Sequence, residues 1–264
     1  MKFLMKMFGI TGFAVLIHCS TAWAGAPDKA LPGITKAGKI VIALDPTYPP
    51  MESEESDGKL VGFDIDMARE IAKRLGVKAE FMVMAWEGII SGLVSNRYDL
   101  IISSMNITAE REKQINFVPY AKMSELFVTK IGADVHDEAG LAGKVLAVAA
   151  DTTSYDYAQK QKAKGLAIKE IKAFRLMSDA FMAVKTGHAD VLIVDEPVAR
   201  YFTKLDKNTF HITGRAMAPE AVGIGVRRAA TDLHEAVAKA IEAMRKDGTL
   251  KALQDTWFGG ELGV

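Results

Sequence analysis

The stretch YDLIISSMNITAEREKQINF (residues 98–117) changes character twice. Leu100-Ile101-Ile102 is a short apolar run, the signature of a buried β-strand. Small polar residues follow, Ser103 to Thr108, and then a helical pattern with Arg111 in its first turn. A cation there opposes the partial positive charge of a helix N-terminus. A second stretch, ADVLIVDEPVARYFTKL (residues 189–205), has the same build. Each follows a helix and a polar turn, and each is a buried strand with a polar end. The two read as equivalent strands of two similar lobes.

On either side of these stretches, strand-like and helix-like segments alternate. Strands are expected at 40–44, 79–83 and 100–103, with helices at 63–75 and 86–94 between them. Met67, Ile71 and Leu75 recur four apart, while Arg69, Glu70, Lys73 and Arg74 face away. The second series has strands at 145–149, 168–171, 191–194 and 222–226, and helices at 152–164, 178–186, 196–205 and 232–245. Residues 25–39 read as a short leader. Such alternation predicts an α/β fold with a parallel sheet.

Ligands of open α/β sheets lie beyond the carboxyl ends of strands. Those ends carry Asp45 with Tyr48, Ser103 with Ser104, Asp195, and the helix head Asp151-Thr152-Thr153-Ser154. Around one cleft they would be complementary. Arg111 is a planar fork for a carboxylate, and the helix heads at Thr108 and Thr153 also suit an anion. Asp195 offers a carboxylate to an ammonium, and Tyr48 and Trp86 offer aromatic walls. That set describes a site for a free α-amino acid. Each member also has a plainer reading. Asp195 could cap the helix near Pro197, Tyr48 and Trp86 could be core residues, Thr152 to Ser154 could simply begin a helix, and Arg111 could pair with a surface acid.

The chain's 264 residues are 49% hydrophobic and 25% charged, enough for one large or two smaller cores. Lys2 and Lys6, an apolar run over 7–17 and Ala22-Trp23-Ala24 form a secretory signal peptide, with cleavage expected after Ala24. Cys19, the one cysteine, lies inside it after His18, not after the small residue that lipidation requires. Without the leader's two lysines, 31 basic residues face 33 acidic ones, a formal charge of −2. This balance gives no electrostatic case for nucleic acid or an anionic membrane. His136, His188, His211 and His234 lack ligand spacing, so neither metal nor cofactor is expected.

Residues 61–72, VGFDIDMAREIA, are similar to the signature of periplasmic amino-acid-binding proteins of ABC importers. So are DPTYPP (45–50), AWEG (85–88), SSMNITAER (103–111), VDE (194–196), and DGTL (247–250) followed by WFG (257–259). The resemblance covers essentially the whole mature chain. It is with the lysine-, arginine-, ornithine- and histidine-binding branch of family 3.

The resemblance implies a type II Venus flytrap of two lobes, each a sheet flanked by helices. Lobe 1 would be residues 25–122 with 220–264, and lobe 2 residues 123–219. By matching positions, Arg111 would hold the α-carboxylate, helped by Ser104, Thr152 and Thr153. Asp195 would bind the α-ammonium, with Ser103 and Asn106 adding polar contacts. Tyr48 and Trp86 would flank the side chain, and Asp45 would lie at its far end. The partners implied are a polar or basic amino acid and the membrane subunits of an ABC permease, with a monomeric protein free in the periplasm.

Two positions depart from the family pattern. Asp151 stands where Gly is usual, either as an N-cap or as an extra negative charge near the site. Met51 replaces a usual Phe, expected as a softer wall. A cyclohexadienyl-dehydratase-like enzyme is the alternative, with Asp151 or Glu196 as general acid. A sensor-kinase input domain is a third reading, which lacks a membrane segment to support it.

Overall fold

The computed structural model describes residues 29–133 and 135–260. The expected signal peptide and its cleavage point lie outside them. The chain opens with α1 (Ala30–Ala37) and β1 (Lys39–Leu44), then a small antiparallel sheet of β2 (Thr47–Tyr48), β3 (Glu52–Glu54) and β4 (Leu60–Val61). α2 (Phe63–Arg74), β5 (Lys78–Val83), α3 (Ile89–Val94) and β6 (Leu100–Ile101) complete a first series. The short helix α4 (Ala109–Glu112) leads into a long strand, β7 (Ile115–Lys130).

A second series follows: β8 (Val145–Ala149), α5 (Thr153–Ala163), β9 (Glu170–Phe174), α6 (Met177–Lys185), β10 (Val191–Asp195) and α7 (Glu196–Leu205). A second long strand, β11 (Phe210–Arg227), precedes α8 (Thr231–Lys246) and α9 (Thr249–Phe258).

The large sheet has the order β5-β1-β6-β11-β7-β10-β8-β9. At its centre β7 and β11 run antiparallel over almost their whole length. Outward from β11 lie β6, β1 and β5; outward from β7 lie β10, β8 and β9. In each half the innermost strand is antiparallel to the long strand, and the next two strands continue parallel to it. β6 and β10 therefore occupy equivalent places, as their sequences suggested. The repeat extends to single hydrogen bonds. Asp99 Oδ2 accepts from Val41 N at 2.8 Å, and Asp190 Oδ2 accepts from Val145 N at 2.7 Å. The result is a two-lobed α/β fold whose half-sheets share the central pair of strands.

The sheet is mixed, not parallel as the alternation predicted. The antiparallel members are the two long strands, which the sequence disguises. β7 contains Pro119, and β11 contains Pro219 and Gly214. Proline removes a ladder donor and belongs at bulges, and the β7/β11 register indeed shifts several times, once beside Pro119. The strand expected at 168–171 runs at Glu170–Phe174, the helix expected from 86 begins at Ile89, and the strand expected to 103 ends at Ile101. The leader read at 25–39 includes helix α1, whose N-terminal amides of Ala30 and Leu31 donate to Asp232 in α8, both at 3.1 Å.

Helix α2 forms as its pattern demands. Met67 and Ile71 are buried, Arg69 and Lys73 are exposed, and Asp64 and Asp66 occupy the first turn, where the dipole favours them. Met51, expected as a wall of the site, is buried in the core and contributes only its backbone, accepting from Asp64 N at 2.9 Å.

Candidate ligand-binding site

A cavity of about 660 Å³, counted with its open mouth, lies where the two half-sheets face each other. All ten residues singled out in the sequence line it. Asp45 follows β1 and Tyr48 sits in β2; Trp86 precedes α3; Ser103, Ser104 and Asn106 follow β6; Arg111 is in α4. The opposite half supplies Thr152 and Thr153 at the head of α5, and Asp195 at the end of β10.

Arg111 is half-buried, and its place on α4 is set by Thr108, the N-cap, whose Oγ1 accepts from Arg111 N at 3.2 Å. Nη1 donates to Asn106 O at 2.9 Å and Nη2 to Asp151 O at 3.2 Å. The guanidinium also lies 5.4 Å from the Trp86 ring centroid. Burial lowers its pKa, opposed by the negative charges of Asp156, Asp195, Glu125 and Asp151.

Asp195 stands at the N-cap position of α7 but makes no side-chain cap bond. Its Oδ2 instead accepts from Tyr48 Oη at 2.7 Å across the cleft, and its buried Oδ1 has no hydrogen-bond partner. Burial pushes its pKa up to about 6, and the Tyr48 hydroxyl draws it back. Tyr48 in turn has its hydroxyl pKa raised, by burial first and then by the charge of Asp195.

Asp45 and a buried neighbour, Glu52, line another part of the cavity. Asp45 Oδ2 accepts from Trp86 N at 2.9 Å, and Asp45 N donates to Ser103 Oγ at 3.1 Å. Ser103 Oγ donates at 2.8 Å to Glu52, a buried carboxyl whose Oε2 has no partner. Burial and the neighbouring Asp64 raise the pKa of Glu52 well above the carboxylate range. Ser104 has a left-handed backbone, φ 47°, sparsely populated by residues with a side chain. It is held by Asp64, whose Oδ2 accepts from Ser104 N at 2.7 Å and from Ser104 Oγ at 3.0 Å. With its proton spent there, Ser104 presents acceptor lone pairs to the cavity.

Thr152 is the N-cap of α5: its Oγ1 accepts from Tyr155 N at 3.4 Å and donates to Ala149 O at 2.7 Å. Asp151 is therefore not the cap. It has φ 57°, which explains why glycine suits the position, and its carboxylate is not in the cavity lining. Its carbonyl bridges the cleft instead, accepting from Arg111 and, at 3.0 Å, from Trp86 Nε1. Glu196 pairs with Arg200 at 2.6 Å and also lies outside the lining. Neither acid named for the enzyme alternative faces the cavity.

A family model for bacterial extracellular solute-binding proteins, family 3, matches residues 40–260. The chain belongs to that family. It is 31% identical over 259 residues to the L-cystine-binding protein TcyJ of Escherichia coli K12, covering 97% of this chain and 96% of TcyJ. It is 32% identical to the ABC transporter arginine-binding protein 1 of the same organism, covering 86% and 93%. Among solved structures it resembles an ancestral arginine-binding protein bound to arginine, with 39% identity, TM-score 0.80, and coverage of 84% of this chain and 99% of that one. An ancestral amino-acid-binding protein described as a precursor of cyclohexadienyl dehydratase matches at 32% identity and TM-score 0.81, covering 87% and 99%.

The cavity of this family-3 protein also includes Ser154, read in the sequence only as part of the helix head, and residues that sequence reasoning missed, among them Thr47, Glu52, Glu87, Arg175 and Met177. Arg175 directly follows β9, so the strand-end rule that found the others applies to it; placing that strand three residues early hid it. Glu52 lies in a small sheet outside the alternating pattern, where the sequence carries no signal for it.

Proposed function

We propose that the protein is a solute receptor that closes on a free amino acid and presents it to an ABC-type permease, without catalysing a reaction. The observation that carries this reading is the placement of Arg111 and Asp195 on opposite halves of one cavity. In it Arg111 takes the α-carboxylate and Asp195 the α-ammonium, each a charge-assisted contact. Asn106, Thr152 and Thr153 add polar contacts, and Tyr48 and Trp86 flank the side chain. Ser104 serves as an acceptor, and Asp45, with Glu52 beside it, receives a polar or cationic side-chain end. Arginine, the ligand in one related structure, and cystine, bound by TcyJ, are therefore the first candidates.

In this reading lobe 1 is residues 25–122 with 220–264, and lobe 2 is residues 123–219. The register shift between Met217 and Glu220, opposite Glu125 and Met123, supports crossings at those points. The protein is exported by a signal peptide cut after Ala24 and acts as a monomer in the periplasm. A thermal-shift panel of the common amino acids, with cystine and ornithine, tests the function. A ligand at 100 times its Kd should add about 2.7 kcal/mol of stability. A flat panel would refute amino-acid binding, and formation of phenylpyruvate from prephenate would restore the enzyme reading.

A further inference from the structure

Asp195 has a buried acidic neighbour with no role in the binding scheme above. Glu125 in β7 is the register partner of Asp195 in β10. Side chains directly opposite in an antiparallel pair share a face, with Cβ atoms about 4.5–5.5 Å apart. Tyr48 donates to Asp195 Oδ2 and Thr153 to Glu125 Oε1, and the Ser154 side chain beside Glu125 also lowers its pKa. The other oxygen of each, Asp195 Oδ1 and Glu125 Oε2, is buried without a partner. From β11 the half-buried Glu220 adds negative potential to both. Two cations line the cavity among the described residues: Arg111, which acts on this group and whose guanidinium is already engaged by the carbonyls of Asn106 and Asp151, and Arg175, which pairs with Glu87 at 3.8 Å.

We propose that Glu125 is a positioning and specificity-determining residue of the ammonium pole, acting through Asp195 so that only a ligand bringing a positive charge is accepted there. The inference rests on the amino-acid reading. Burial, followed by the charge of Asp195, pushes Glu125 up to about 8, while Asp195 stands at about 6, so near neutrality the pair shares one proton. A buried ammonium against Asp195 favours ionisation of both acids, and binding therefore expels the Glu125 proton. Affinity rises with pH until Glu125 is already ionised in the free protein, then levels off. A 2-hydroxy acid, with a hydroxyl in place of the ammonium, gains nothing over the same window.

Calorimetric titration between pH 7 and 8.5 tests this, using the amino acid that gives the largest shift in the panel and its 2-hydroxy analogue. The native protein should gain up to about eightfold in affinity for the amino acid across that window. Glu125→Gln should abolish the gain, while the ligand's own titration, common to both proteins, cancels in their ratio. An equal pH slope in Glu125→Gln, or an equal slope for the 2-hydroxy acid, overturns the inference. Thr153→Val guards against a misfolded variant. Losing a bond that lowers the Glu125 pKa should move the slope to higher pH, and an unmoved profile again counts against the proposal. A native protein that binds no amino acid overturns both readings; binding with an unchanged slope overturns this one alone.

Discussion

Arg111 resolves the conflict that its place in α4 raises. The guanidinium reaches the cavity, whereas Thr108 at the helix head does not line it, so the partner proposed for the cation lies in the cavity and not at the helix end. Arg111→Ala should lower amino-acid affinity by roughly a hundredfold, because hydrogen bonds to charged groups are worth about 1.5–3 kcal/mol each. Calorimetry reads this directly, and a retained affinity would remove Arg111 from the site. The raised pKa values of Glu125 and Asp195 make a second prediction. Between the ordinary carboxylate range and about 8 the folded state binds more protons than the unfolded chain, so these groups cost stability as pH rises through that window. Denaturant unfolding of the ligand-free protein should show a shallower decline from pH 5 to 8 in Glu125→Gln than in the native chain. Asp45, Ser103 and Asp195 were legible because they sit at or just beyond strand ends, where a rule applies, and Arg111 because a cation in the first turn of a helix is out of place. Glu52 and Glu125 were not, since their importance comes from neighbours 51 and 70 positions away in the chain, Ser103 and Asp195.

Among the elements, the turn into α2 positions one wall of the cavity. Gly62 has φ 136°, and an added Cβ would collide with the carbonyl oxygen of Met51. Two residues on, Asp64 holds both the amide and the hydroxyl of Ser104. Gly62→Ala should cost roughly 1–3 kcal/mol and weaken ligand binding with it, because relieving the clash displaces the Met51 carbonyl that accepts from Asp64 N. Thermal unfolding and calorimetry on the same sample check both effects. Unchanged affinity alongside lost stability would separate the turn from the site. The helix α2 itself was readable from its four-residue spacing of buried apolar side chains. Helix α1 was not: its N-terminal amides are satisfied by Asp232, some 200 residues later, and no local signal records such a cap.

The whole molecule is organised by the two central strands. A repeated topology on each side of β7 and β11 brings two sets of strand ends to one cleft. The duplication was visible in the likeness of residues 98–103 to 189–195. The antiparallel centre was hidden, since Pro119 and Pro219 interrupt the strands whose pairing spans the molecule. Across the cleft, Tyr48 donates to Asp195, and Trp86 and Arg111 donate to Asp151 O. Ligand contact with both lobes favours the closed form. Binding should therefore change Trp86 fluorescence, and Trp86→Phe should abolish the response, because Trp257 bonds within one half, to Asp66 at 3.1 Å. The proposed grip of Arg111 and Asp195 on the two charged groups of one amino acid is tested by calorimetric titration of the ligand-free protein with the best amino acid of the panel, its decarboxylated amine and its deaminated acid. The expected result is binding of the amino acid and at least a hundredfold loss for each analogue; equal affinity for either analogue would contradict the claim.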